Sequence, residues 1–145
     1  LPHADVPAFH AALLDFSARH RDAMAQRGVW MGTMFATVSS TGLLYEIALY
    51  WPEAPAVYHE AVLGEEYLRK TSDHAPNAAA TALVEALKQE LMALYAAHGA
   101  AHFQIGRTYP YAQRLDPAAL ALLQSLKQQL DPQRLMNPGA LGLGG

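Results

Sequence analysis

The chain contains no cysteine in its 145 residues, so disulfides and thiolate-held metals are excluded. Charge is sparse: charged residues make up 16% and the formal net charge is -3. With a pI near 6.1 there is no basic surplus, which argues against a nucleic-acid partner. No apolar run approaches the roughly 20 residues that a membrane-spanning helix requires. The opening Leu1-Pro2-His3-Ala4-Asp5 has neither the basic nor the apolar region of a secretory signal, and a cytoplasmic location is expected. No Gly-x-Gly-x-x-Gly follows a strand-like run, so no dinucleotide-phosphate loop is expected within this chain. What is abundant is apolar side chain. Hydrophobic residues make up 52%, which suits a folded domain with its own core and not a disordered segment.

These apolar residues follow helical and strand periods. Val6, Phe9, Leu13, Phe16, His20 and Met24 recur at three- and four-residue steps, one stripe of an amphipathic helix. Asp5 is placed to cap this helix, Pro7 sits in its first turn and Gly28 ends it. Residues 30–39 and 43–51 alternate as two strands around a Ser40-Thr41-Gly42 turn. With Thr41 and Gly42 as the turn residues, Val38 pairs with Tyr45, Ala36 with Ile47 and Met34 with Leu49 on an apolar face. Thr37 then meets Glu46, Phe35 meets Ala48 and Thr33 meets Tyr50 on an open, amphipathic face. Residues 56–70 are a helix candidate interrupted at Gly64. Asn77 is placed to cap a helix over 78–98 with the stripe Leu83, Leu87, Leu91, Leu94, Tyr95 and His98, and Gly99 ends it. Residues 101–106 read as a short strand. Asp116-Pro117 opens a last helix, with Leu120, Leu123, Leu126 and Leu130 inward. The order αββααβα predicts an α+β fold, an antiparallel sheet covered on one face by helices.

The C-terminal stretch prescribes its backbone most closely. In Leu130-Asp131-Pro132 and again in Asn137-Pro138-Gly139, proline pushes the residue before it out of the helical region, and Gly139 admits a positive φ. The tail from Ala140 has almost no polar side chain to solvate it. The run Leu126-Lys-Gln-Gln-Leu-Asp-Pro-Gln-Arg-Leu-Met-Asn-Pro-Gly-Ala-Leu141 resembles the C-terminal signature of FAD-linked oxidases of the vanillyl-alcohol-oxidase and D-lactate-dehydrogenase type. Gly99-Ala-Ala-His-Phe-Gln-Ile-Gly-Arg-Thr-Tyr-Pro-Tyr111 resembles the strand and loop that precede this helix there, and Tyr50-Trp51-Pro52 resembles an aromatic strand end of some members.

The resemblance implies that residues 1–145 are the C-terminal part of a ferredoxin-like substrate (cap) domain. Residues 131–145 would be a tail returning to an FAD-binding domain outside this chain. FAD would be bound mainly by that domain, and this portion alone would be inactive. The full-length enzyme would be an oxidoreductase passing hydride to flavin from a hydroxy acid, an alcohol or a phenolic substrate. The resemblance also implies that Asn137 touches FAD, although asparagine before proline is also a common turn former.

The candidate chemistry-bearing residues follow from strand faces, strand ends and the same resemblance. His102 and Gln104 share a strand face. His102 has a reference pKa near neutrality, which suits a base, or it is a strand-start histidine bonded to a loop. Arg107 can bind an anionic substrate oxygen. Tyr50, Tyr109 and Tyr111 lie at strand ends, where a phenol offers a ring and one hydrogen-bonding tip. Tyrosines and an arginine hold a phenolate in the vanillyl-alcohol-oxidase branch; Tyr109-Pro110-Tyr111 is equally a packed turn. Glu46 is the one charge in mid-strand, either a base, a partner of Arg107 or His102, or simply solvated. No two histidines lie four apart on an unbroken helix, because Gly99 separates His98 from His102.

The metal-binding branch, with D-lactate and D-2-hydroxyglutarate dehydrogenases, uses histidines on the first hairpin strand and a Glu-His-Gly segment. Here those places read Met31-Gly-Thr-Met-Phe-Ala-Thr and His102-Phe-Gln-Ile-Gly, so no metal is expected. The alternative reading is a non-catalytic α+β domain that binds a small ligand or pairs with a second copy through an open sheet edge.

Overall fold

The computed structural model describes residues 1–70, 74–102, 104 and 107–143. The chain divides into two compact units, Leu1–His98 and Gly99–Gly145.

The first unit begins with helix α1, Val6–Gln26. Its expected stripe faces inward: Phe9, Leu13, Phe16 and Met24 are buried, while His20 bonds Glu90 at 2.9 Å. Asp5 does not cap this helix with its side chain. A 3-10 turn, His3–Asp5, leads straight into α1, so Asp5 has near-helical angles (φ -90, ψ -10) instead of the extended ones a capping side chain needs. The far end closes as read. Gly28 has φ 66, its N–H donates to Ala25 and that of Val29 to Met24, the paired bonds of a Schellman turn.

Strands β1, Trp30–Thr37, and β2, Leu43–Tyr50, form an antiparallel pair. The α+β expectation holds, with helices on one face of a two-stranded sheet. The register differs from the expected one. Phe35 pairs with Tyr45, Met34 with Glu46, and Trp30 with Tyr50, a three-residue slip. An odd slip turns β1 over relative to β2. Met31, Thr33 and Phe35 therefore share the Tyr45–Ile47–Leu49 side, and Met34 and Val38, expected inward, are 55% and 70% exposed.

The cause lies at the turn. His3 N–H donates to Thr41, Leu43 N–H donates to Leu1, and Pro2 bridges Gly42. The segment 41–43 is thus held by Leu1–His3, and Val38 and Ser39 close the longer loop by donating to the Gly42 carbonyl.

Residues 56–70 split at Gly64, as their sequence suggests, into α2, Val57–Val62, and α3, Glu65–Lys70. Helix α4, Ala78–Ala97, is capped by the Asn77 side chain accepting from Ala80 N–H. Its Ala80, Val84, Leu87 and Leu91 join Phe9, Leu13, Phe16 and Tyr45 in one core, each large apolar side chain contributing about 1.5–3 kcal/mol by leaving water. Phe9 stacks on Tyr95 and meets Tyr45 edge-on. The exit from β2 is tied to the start of α4 by polar contacts. Trp51 Nε1 donates to Thr81 Oγ1, whose hydroxyl donates to Glu53 Oε2; Glu53 Oε1 accepts from the N–H groups of Ala54 and Asn77.

In the second unit, the described residues of the expected strand at 101–106, Ala101, His102 and Gln104, belong to no strand. Phe103, Ile105 and Gly106 lie outside the described residues. A strand needs a ladder partner, and His102 packs instead on the ring of Tyr109. A 3-10 turn, Ala112–Arg114, precedes helix α5, Pro117–Leu130, whose N-cap Asp116 accepts from Ala118 N–H. Of the four leucines expected inward, Leu120 and Leu123 are half-buried, whereas Leu126 and Leu130 are 44% and 77% exposed. A unit this short has too little interior to take a whole leucine stripe. The tail ends in a 3-10 turn, Ala140–Gly142.

Candidate functional site

The expected site residues fall in two places, one in each unit. In the first unit, Glu46 and Tyr50 do share the open face of the sheet, with different opposite neighbours from those expected. Period-two alternation lines up Trp30, Gly32, Met34 and Ala36 against Tyr50, Ala48, Glu46 and Leu44. Trp30 and Tyr50 stack with centroids 4.0 Å apart at 14°, a flat aromatic platform. Gly32 makes this packing feasible, because a Cβ there would lie 3.3 Å from Tyr50 Cε2. Glu46 is exposed and forms no ion pair among the described residues.

In the second unit, His102 and Tyr109 stack with centroids 4.7 Å apart at 25°. Burial of the imidazole, assisted by the nearby Arg114 cation, lowers the His102 pKa below its ordinary 6.5. The ring is thus neutral near pH 7 and able to take a proton. Arg114 is itself held by donating to the Gly99 carbonyl at 2.8 Å. Tyr109 and Tyr111 are half-buried, and Gln104 and Arg107 are exposed. Tyr111 N–H donates to the Tyr109 carbonyl and its own carbonyl accepts from Arg114 N–H, so the Tyr109-Pro110-Tyr111 segment is a hydrogen-bonded turn.

Arg107 meets the hook formed by Asn137-Pro138-Gly139. A Cβ on Gly139 would lie 3.8 Å from Arg107 Nε. The hook is left-handed at both ends, with φ 44 at Asn137 and 75 at Gly139. Asn137's carbonyl accepts from Ala140 N–H, while its exposed carboxamide makes no hydrogen bond among the described residues.

Sequence reasoning passed over Lys127, Asp131 and Arg114 as site neighbours. Asp131 is 6% exposed, and hydrogen bonding from Lys127 is the main cause that holds its carboxyl below the usual value. The i,i+4 spacing of Lys127 and Asp131 was the available signal. Nothing in the spacing pointed to Arg114. Among the described residues no three His, Asp or Glu side chains converge as a metal site would require.

No curated protein and no solved structure matches the chain. Residues 75–141, just under half of the chain, match the family described as FAD linked oxidases, C-terminal domain. This match, which takes in the His102–Tyr109 stack and the hook, supports identifying that portion of the chain as an FAD-linked oxidase C-terminal domain.

Proposed function

We propose that the chain supplies the substrate-side part of an FAD-dependent oxidoreductase acting on a hydroxy acid, an alcohol or a phenol. The observation that supports this reading is that the family-matched segment holds both an imidazole stacked on a phenol and a guanidinium beside the Asn-Pro-Gly hook. The residues fit a contact with FAD and not its main seat. Asn137 presents an exposed amide with both a donor and an acceptor, whereas the sequence offers no Gly-rich cradle for the pyrophosphate. The main seat is therefore assigned to a partner FAD-binding domain, and residues 131–145 to the tail that meets it.

When bound, FAD supplies the hydride acceptor. His102 takes the proton of the substrate hydroxyl as the adjacent C–H bond is oxidised. Arg107 binds a carboxylate or phenolate oxygen. Tyr109, Tyr111 and Gln104 orient the substrate; Tyr50 and Glu46, on the open sheet face of the first unit, are a separate candidate surface for an aromatic and a polar contact. The test is Arg107→Ala in the full-length protein with an anionic substrate. KM should rise about tenfold or more, the value of a hydrogen bond to a charged group; an unchanged KM removes the role.

A second reading, a non-catalytic binding or self-association domain, draws on the exposed apolar hairpin residues Trp30, Met34, Phe35 and Val38. Full-length protein that purifies without flavin and self-associates through this hairpin favours the second reading; bound flavin favours the first.

A further inference from the structure

The hook is held by a charge pair, a buried Asp131 and a half-buried Lys127, whose arrangement has no obvious role in building a core. Asp131, at the end of α5, is 6% exposed, a costly place for a carboxylate unless both oxygens are satisfied. They are. Oδ1 accepts from Leu135 N–H at 2.8 Å, and Oδ2 accepts from Met136 N–H at 2.9 Å and from Lys127 Nζ. Lys127 Nζ donates a second bond, to the Met136 carbonyl. Met136 is therefore clamped at both peptide groups, by the carboxylate on its N–H side and by the ammonium on its C=O side. The plane of the Met136 carbonyl is also the plane of the Asn137 N–H, so the clamp sets the direction in which Asn137 starts.

The side chains over the clamp face water. Leu135 is 75% exposed and Met136 61%, so the pair gathers backbone and not apolar groups. What it delivers is Asn137 at φ 44, a left-handed geometry that non-glycine residues keep only where their surroundings hold it.

We infer that Lys127 and Asp131 are positioning residues: they pre-form the turn that presents the Asn137 carboxamide to the flavin-bearing partner domain. This rests on the reading of Asn137 as a cofactor contact. A pre-formed contact binds better because the ordering is complete before association.

The experiment uses the full-length protein and compares Asn137→Ala, Asp131→Asn, Lys127→Met and Lys127→Arg. The measurements are FAD affinity, position of the flavin absorption band, and helical circular dichroism. The expected result is that N137A, D131N and K127M each weaken FAD binding about tenfold and shift the band. K127R, which keeps the cation, should retain the parent's affinity, and helical signal should be unchanged throughout. K127M leaves both backbone bonds to Asp131 in place, so it stays informative if D131N fails to fold. The inference is overturned, with the Asn137 reading intact, if N137A weakens FAD binding while K127M and folded D131N do not. If N137A itself leaves affinity and band unchanged, the cofactor-contact reading falls and the inference falls with it.

Discussion

His102 and Glu53 show how single side chains acquire their chemistry from surroundings. Burial depresses the His102 pKa first and the Arg114 cation second, so the folded imidazole binds a proton less readily than the unfolded one. Its contribution to stability is whole above the ordinary value of 6.5 and is lost as pH falls through the lowered folded value. The acid limb of kcat/KM for the full-length enzyme should accordingly lie below 6.5, and His102→Gln should lower kcat by about 10²–10⁴-fold. An acid limb unchanged in that variant would assign the titration to another group. Glu53 behaves similarly through bonding instead of burial. The Thr81 hydroxyl, then the Asn77 and Ala54 N–H groups, pull its pKa below 4.5. Its support for the α4 start is present above that pH and disappears as pH falls through the folded value. Glu53→Gln should therefore lower the thermal midpoint at pH 7, with the gap to the parent closing under acid. The identities of His102, Arg107 and Asn137 could be picked out of the sequence. The Arg114 cation that lowers the His102 pKa could not, because nothing in the spacing of the two residues places one near the other.

Among the elements, helices were readable and the hairpin register was not. The α1 stripe, and Leu87 and Leu91 on α4, follow from spacing alone, since residues three and four apart share a face whatever lies opposite. Ala80 and Val84, off the expected α4 stripe, are buried as well, while Leu83, Leu94, Tyr95 and His98 are half-buried. Leu87→Ala, at a site 1% exposed, should cost about 2–5 kcal/mol in urea unfolding. Gly28→Ala should cost about 1–2 kcal/mol, because φ 66 there places a Cβ against the following carbonyl; a neutral result would mean that the α1 end relaxes. Strand faces alternate just as simply, but which β1 residue meets Tyr45 depends on the loop. Contacts from Leu1–His3 to Thr41–Leu43 lengthen that loop, which puts Met31, Thr33 and Phe35 on the Tyr45 side; Met31 packs against the core while Phe35 stays 65% exposed. The same limit explains α5. Leucine spacing marks an apolar stripe, but only the surrounding unit sets how much of it is covered, and Leu130 is left 77% exposed.

For the whole molecule, the two units present different groups. The first has a closed aromatic core and an open sheet face with the Trp30–Tyr50 platform. The second has the neutral imidazole, the guanidinium and the hook. Neither offers a phosphate cradle among its described residues and the sequence has no Gly-x-Gly-x-x-Gly, so the 145-residue chain mixed with FAD should elute colourless from gel filtration. Tight, stoichiometric flavin on this chain alone would overturn the assignment of the main FAD seat to a partner domain. No helix among the described residues is long and apolar enough to cross a membrane. The Asn77 cap, the α1 stripe, the Gly28 terminator and the breaks at Pro132 and Pro138 were written in local order, because each involves neighbours within about one helical turn. The Asp5 cap was not, because the preceding 3-10 turn holds Asp5 near helical angles. The hairpin register, the buried face of α5, the tuning of His102 and the Lys127–Asp131 clamp depended on packing. Each places a residue against backbone or charge that sequence proximity does not specify, and burial sets the strength of those contacts.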